Sequence, residues 1–180
     1  MKYLSAFLVT MVFAIAGGAS WAQPPAASAE DKPVLREAFT LRLELPDGKN
    51  YEENFTRRIP YVYNNAAYMF AGESFGLEAR IAHGEIAGIS YRKHGAGADV
   101  ELQFRQFVTK SGLPIMMLMI KNNLDKKLYM TAEISTPGDP NRYQTDIRPI
   151  APGQADYETW ARPIIELKLF QLRFNAQRSY

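Results

Sequence analysis

A serine, an acid and a histidine occur here in the order that some hydrolases use. Gly72-Glu73-Ser74-Phe75-Gly76 fits the pattern G-x-S-x-G, with Glu85 and His94 downstream. In α/β-hydrolases that pattern sets the nucleophile on a strained turn between a strand and a helix, where an imidazole takes the hydroxyl proton. No helical period follows Ser74, and no strand-helix-strand unit surrounds it. The glycines then read as turn residues that permit positive φ. Ser74 is kept as the nucleophile of an alternative reading, a small secreted hydrolase.

Two further groupings invite metal chemistry. His83 and Glu85 are two apart and would share a strand face, and His94 approaches them if the hairpin folds back, a set suited to zinc or copper. Two imidazoles and one carboxylate leave the coordination incomplete. Met116, Met117, Met119 and Met130 offer soft thioethers for copper(I), but alternation along a strand sends Met116 to the face opposite Met117 and Met119. The sequence therefore predicts no metal site, no cofactor and no catalytic residue.

The tyrosines are the candidate binding groups. Tyr61 and Tyr63 should share one strand face and Tyr68 and Phe70 the face of the next stretch, with Asn64-Asn65 between them. Aromatic rings beside amides stack on sugars or grip a peptide. Tyr61, Tyr63, Asn64, Asn65 and Tyr68 thus form the expected binding set, set against the common use of tyrosine to pack a strand while its hydroxyl stays wet.

The elements that position these groups read as strands. Phe39, Leu41, Leu43 and Leu45 alternate with polar residues, Pro46-Asp47-Gly48-Lys49 turns the chain, and a partner strand around residues 51–58 closes a hairpin. A second hairpin turns at His83-Gly84-Glu85, and residues 92–99 with Gly95 and Gly97 read as a flexible loop. Val100, Leu102 and Phe104 alternate, and Phe107 out of phase predicts a bulge near Arg105 and Gln106. The apolar run from Ile115 to Ile120 predicts a central strand covered on both faces. Strands follow at Leu128–Ile134, Tyr143–Ile147 and Ile164–Phe174, the last changing its inward face near Leu169-Phe170, and residues 154–160 offer a turn or two of helix. Eight or nine short strands between Gly, Pro and Asn turns predict an all-β, antiparallel β-sandwich.

Ile120-Lys121-Asn122-Asn123, the alternation from Leu128 to Ile134, and Ile147-Arg148-Pro149-Ile150-Ala151-Pro152-Gly153 together resemble a stretch that recurs in bacterial extracytoplasmic immunoglobulin-like domains. There, a buried strand ends in an Asn-rich turn, an alternating strand follows, and a Pro-Gly corner leads to the last strands. The resemblance covers about a quarter of the chain, implies an immunoglobulin-like sandwich, and carries no ligand with it.

Residues 1–22 give the address. Lys2, the apolar run from Leu4 to Ala16 and small residues up to Ala22 predict a secretory signal peptide cut before Gln23. The run is short for a membrane span, which takes about 20 apolar residues, so no stable membrane insertion is expected. Residues 23–33, rich in Pro, Ala and Ser, predict a mobile tail, and residues 34–180 a single domain. With no cysteine, the domain rests on packing and its sheet ladders. A net charge of +2, of which Lys2 leaves with the signal, gives no field for nucleic acid. The leading expectation is an exported, periplasmic or secreted, noncatalytic module that binds a protein or glycan of the bacterial envelope. A small outer-membrane β-barrel is a further alternative, because the exported chain is long enough for eight strands.

Overall fold

Alternation and turn chemistry produce strands almost everywhere they are possible. The computed structural model describes residues 32–176; the signal peptide expected over residues 1–22 and nearly all of the expected tail lie outside the described residues. The strands are β1 (Phe39–Glu44), β2 (Asn50–Phe55), β3 (Val62–Tyr63), β4 (Ala66–Met69), β5 (Glu73–Ala82), β6 (Glu85–Arg92), β7 (Val100–Val108), β8 (Pro114–Asn122), β9 (Tyr129–Ser135), β10 (Arg142–Asp146), β11 (Ala155–Trp160) and β12 (Glu166–Arg173).

Ten of these strands form two antiparallel sheets packed together as a sandwich, in the orders β10-β9-β12-β4-β3 and β11-β8-β7-β5-β6, while β1 and β2 form a separate hairpin. We call the two the β9 sheet and the β8 sheet. Met69, Met130, Ala132, Ile134, Leu167 and Leu169 from the first meet Phe75, Leu77, Leu102, Phe104, Met116, Leu118 and Ile120 from the second in one buried core. Leu41 and Leu43 of β1 add to it, and Phe39, Phe55 and Phe70 form a triangle of rings with centroids 4.9 Å apart. The hairpin is also fastened to β7 by one side chain: Gln106 accepts from the Glu44 N–H at 2.8 Å and donates to the Glu44 carbonyl at 2.9 Å, imitating a strand partner.

Two hairpins turn on two residues each. Asn64 and Asn65 at φ 48° and 56°, and His83 and Gly84 at 52° and 79°, supply the two consecutive positive angles of the turn that matches strand twist. Asn tolerates this region better than other side chains, which explains the pair at 64–65.

Several sequence expectations change. There are twelve strands among the described residues rather than eight or nine, partly because the two-residue turn at Asn64-Asn65 splits one stretch into β3 and β4. Residues 155–160 are strand β11, paired with β8, and not a helical turn. No bulge occurs near Arg105 and Gln106, since β7 pairs with β8 in unbroken register from Val100↔Asn122 to Val108↔Pro114. Phe107 fails to fit the inward pattern because it points outward and is 38% exposed. Register shifts instead at Arg80/Ile81 and at Phe170/Arg173. The second shift delivers the expected change of face in the last strand: Gln171 at φ 53° inserts one residue, so Leu172 follows Leu169 into the core. In β8 only alternate residues are fully buried, so its outer face is not covered. The end of the loop after β6 is anchored: Ala98 is buried and Asp99 accepts from the Ala79 N–H at 2.8 Å.

Candidate functional site

The tyrosine stretch divides into two unlike halves. Tyr61 lies inward, stacked on Tyr91 at 4.1 Å and edge-on to Phe75 at 5.3 Å. Its other neighbour is the guanidinium of Arg36, 4.0 Å from the ring centroid. Arg36 is buried, 3% exposed, and its Nε and Nη2 grip Glu73 at 2.5 and 2.8 Å. The remaining donors go to the Pro60 carbonyl at 2.6 Å and to the Tyr68 carbonyl. Glu73 is satisfied in turn by the Phe70 N–H at 2.9 Å. A buried charge needs this degree of pairing. Burial, and then the neighbouring Tyr61 ring, raise the pKa of Tyr91 above its ordinary value. Tyr61 is therefore part of the packing.

Asn65 is also engaged. Its side chain accepts from the Ile89 N–H at 3.2 Å and donates to the Ala87 carbonyl at 3.3 Å, so it lies along the free edge of β6 as a substitute strand. Asn64 stays exposed in the turn.

Tyr63 and Tyr68 behave differently. Tyr63 is 53% exposed at the end of the β9 sheet, where it pairs with Ala66. In β4, Ala67 and Met69 fill the core, so Tyr68 between them stands on the outer face, half-buried. Register carries a row from Tyr68 to Lys168 to Glu133 to Gln144 across four strands. Lys168 lies 3.5 Å from Glu133 and 4.8 Å from the Phe170 ring centroid. Arg142 joins Glu166 at 2.6 Å and Glu133 at 3.4 Å. Partial burial, followed by the negative charge of Glu166, raises the Tyr68 pKa. The face thus offers rings at Tyr63, Tyr68 and Phe170 beside two carboxylates and two cations. Alternation between Leu167 and Leu169 could have placed Lys168 and Phe170 outward from sequence, but nothing local shows that β12 pairs with β4.

The catalytic and metal groupings do not assemble. Ser74 sits within β5 opposite Gln103, rather than on a strand-to-helix turn, and among the described residues no hydrogen bond joins it to His94. Gly76 is there for a different reason: the loop after β6 crosses it, and a Cβ would overlap that of Ala98. His83 forms the tight turn before Glu85, and among the described residues no group of three His, Cys, Asp or Glu could hold a metal. Met116 and Met130 are buried in opposite sheets, whereas Met117 and Met119 face outward. A shallow cavity of about 230 Å³ opens between Glu85, Ile86, Gln171, Leu172, Arg173 and Asn175. Arg173 Nε, buried nearby, has no hydrogen-bond partner among the described residues. Comparison with family models, curated proteins and solved structures finds no match to this chain.

Proposed function

We propose that this chain is an exported, noncatalytic β-sandwich of the immunoglobulin-like kind, and that it binds a glycan of the bacterial envelope through the outer face of the β9 sheet. The observation that carries the reading is the exposed Tyr63 ring at the end of a face that also holds Tyr68, Phe170, Lys168, Glu133, Glu166 and Arg142. The apolar C–H side of a sugar packs on such rings, and charged side chains reach its hydroxyls. Export rests on the signal-like residues 1–22. The immunoglobulin-like assignment draws support from two packed antiparallel sheets and from the Pro149–Gly153 corner before β11.

The test is retention on purified envelope polysaccharide and peptidoglycan. Tyr63→Ala combined with Phe170→Ala is expected to lower retention about tenfold, the scale of two ring contacts of roughly 0.5–1.5 kcal/mol each. Unchanged retention sinks the glycan site. Capture of an envelope protein by the parent and not by the double variant moves the same face to protein binding. Labelling of Ser74 by a fluorophosphonate probe replaces the whole reading with hydrolysis.

A further inference from the structure

Half of the most apolar run in the domain serves no internal purpose. Met116, Leu118 and Ile120 fill the core, while Ile115, Met117 and Met119 line the outer face of the β8 sheet, partly buried. Register sets Phe107 opposite Ile115 and Tyr157, 53% exposed, opposite Met119. At the end of this stripe the β7–β8 turn presents Phe107 at 38%, Val108 at 45% and Leu113 at 56% exposure. Three exposed apolar side chains gathered on both faces of one hairpin end mark something that docks.

The turn is built to hold these side chains out. Thr109 N–H donates to the Leu113 carbonyl at 2.9 Å, Gly112 N–H to the Thr109 carbonyl at 2.9 Å, and Leu113 N–H to the Thr109 hydroxyl at 3.0 Å. Gly112 takes the left-handed angle, φ 81°, that the turn needs. Its shape is fixed by two backbone bonds and the Thr109 hydroxyl, with no burial of Leu113.

Charge selects the occupant. Residues 102–124 contain Arg105, Lys110 and Lys121 and no Asp or Glu. Lys121 is matched by Glu101 at 3.0 Å, but Arg105 and Lys110 stand in no ion pair among the described residues. Of the acids, Glu44 comes alongside through its backbone bonds to Gln106. A second copy meeting tip to tip would crowd Arg105 and Lys110 of both copies into one contact, which disfavours self-association. Apolar prongs flanked by cations fit an anionic bilayer surface, where rings and aliphatic groups enter the interface and cations meet phosphates.

We infer that the β7–β8 hairpin docks peripherally on an anionic phospholipid surface, with Phe107, Val108 and Leu113 entering the interface and Arg105 and Lys110 contacting headgroups. No helix among the described residues is long and apolar enough to cross a membrane, and this contact needs none. It is independent of the glycan face, which lies on the other sheet.

Flotation of the full chain with phosphatidylcholine vesicles, with and without phosphatidylglycerol, tests it. Residues 1–22 carry their own apolar run, so the decisive comparison is between full-length chains that differ only at the hairpin. Phe107→Ser with Leu113→Ser is expected to lower binding to the anionic vesicles about tenfold or more, because two apolar groups no longer leave water. Lys110→Gln should lower it about fivefold on anionic vesicles and leave the neutral ones unaffected. Leu113→Trp should show a blue shift on anionic vesicles beyond that of the parent, whose Trp21 and Trp160 also emit. Equal flotation of the parent and the double serine variant overturns the inference, as does a Leu113→Trp emission that shifts no further than the parent's. Loss of a protein partner in the serine variant, with vesicle binding unchanged, also overturns it and makes the hairpin a protein dock. Should the serine variant lose its folded melting transition, the exposed Lys110→Gln change and the Leu113→Trp signal decide.

Discussion

Tyr51 illustrates how a single half-buried group sets an alkaline limit. Its ring packs against the core beside Leu43, and its hydroxyl donates to the Glu53 carboxylate. Burial first, then the bond to Glu53, push its pKa from 10.0 to about 12. The fold therefore favours the protonated phenol over the phenolate. The resulting stabilisation is complete below pH 10.0, the ordinary tyrosine value, and is lost as pH rises through about 12. We predict that Tyr51→Phe flattens the fall of stability over that window in denaturant titrations, and removes one high-pH step from the phenolate absorbance. If both curves are unchanged, Tyr51 is not the group concerned. At this scale the sequence was a partial guide to which of these side chains stand exposed. It marked Tyr63 and Tyr68, which stand at the outer face, but also Tyr61 and Asn65, whose roles depend on partners far along the chain. Tyr61 meets Arg36 and Tyr91, and Asn65 meets Ala87 and Ile89. No spacing rule reveals such pairings.

Strands were legible where one face is apolar, as in β7 and β12, and least legible where it is not. β11 reads as a turn of helix because its core-side positions are Asp156 and Glu158, which bond Arg148 at 3.0 and 3.3 Å. Arg148 also donates to the Tyr157 carbonyl at 3.0 Å, capping an edge that would otherwise invite another strand. β8 misled in the opposite sense, since apolar side chains on both faces look like full burial. The glycine of β5 shows what an element can demand of its neighbour. Gly76 lies under Ala98, so Gly76→Ala must displace the buried Ala98 in the loop after β6. We expect a loss of about 1–3 kcal/mol, the usual cost of overpacking, and recovery of much of it when Ala98→Gly is added. Thermal melts of the single and double variants check this; an additive double variant would show that the contact is not the cause.

On the scale of the whole molecule, the sandwich class follows from strand periodicity, but the sheet order does not. Pairings such as Leu167 with Met69 depend on a global solution. Arg36 belongs to the same non-local class, because it bonds Tyr68 of the β9 sheet and, 37 residues away, Glu73 of the β8 sheet. Replacing it with methionine would strand a carboxylate that is 20% exposed, at a cost of about 3–5 kcal/mol for a broken buried pair. Adding Glu73→Gln should return part of that loss, and urea unfolding of the two variants measures it. Additive losses would mean that the ion pair contributes little. The position of Arg36 also has a mechanical meaning. The segment around it bonds backbone to backbone, Arg36 N–H to Ile59 and Tyr61 N–H to Val34, ahead of the first strand. Tension entering at residue 32 therefore reaches this clamp before β1, and its contacts must give way together before the hairpin bears load. A domain suspended from its N-terminal side would keep its shape under pull, with Arg36 as the rivet.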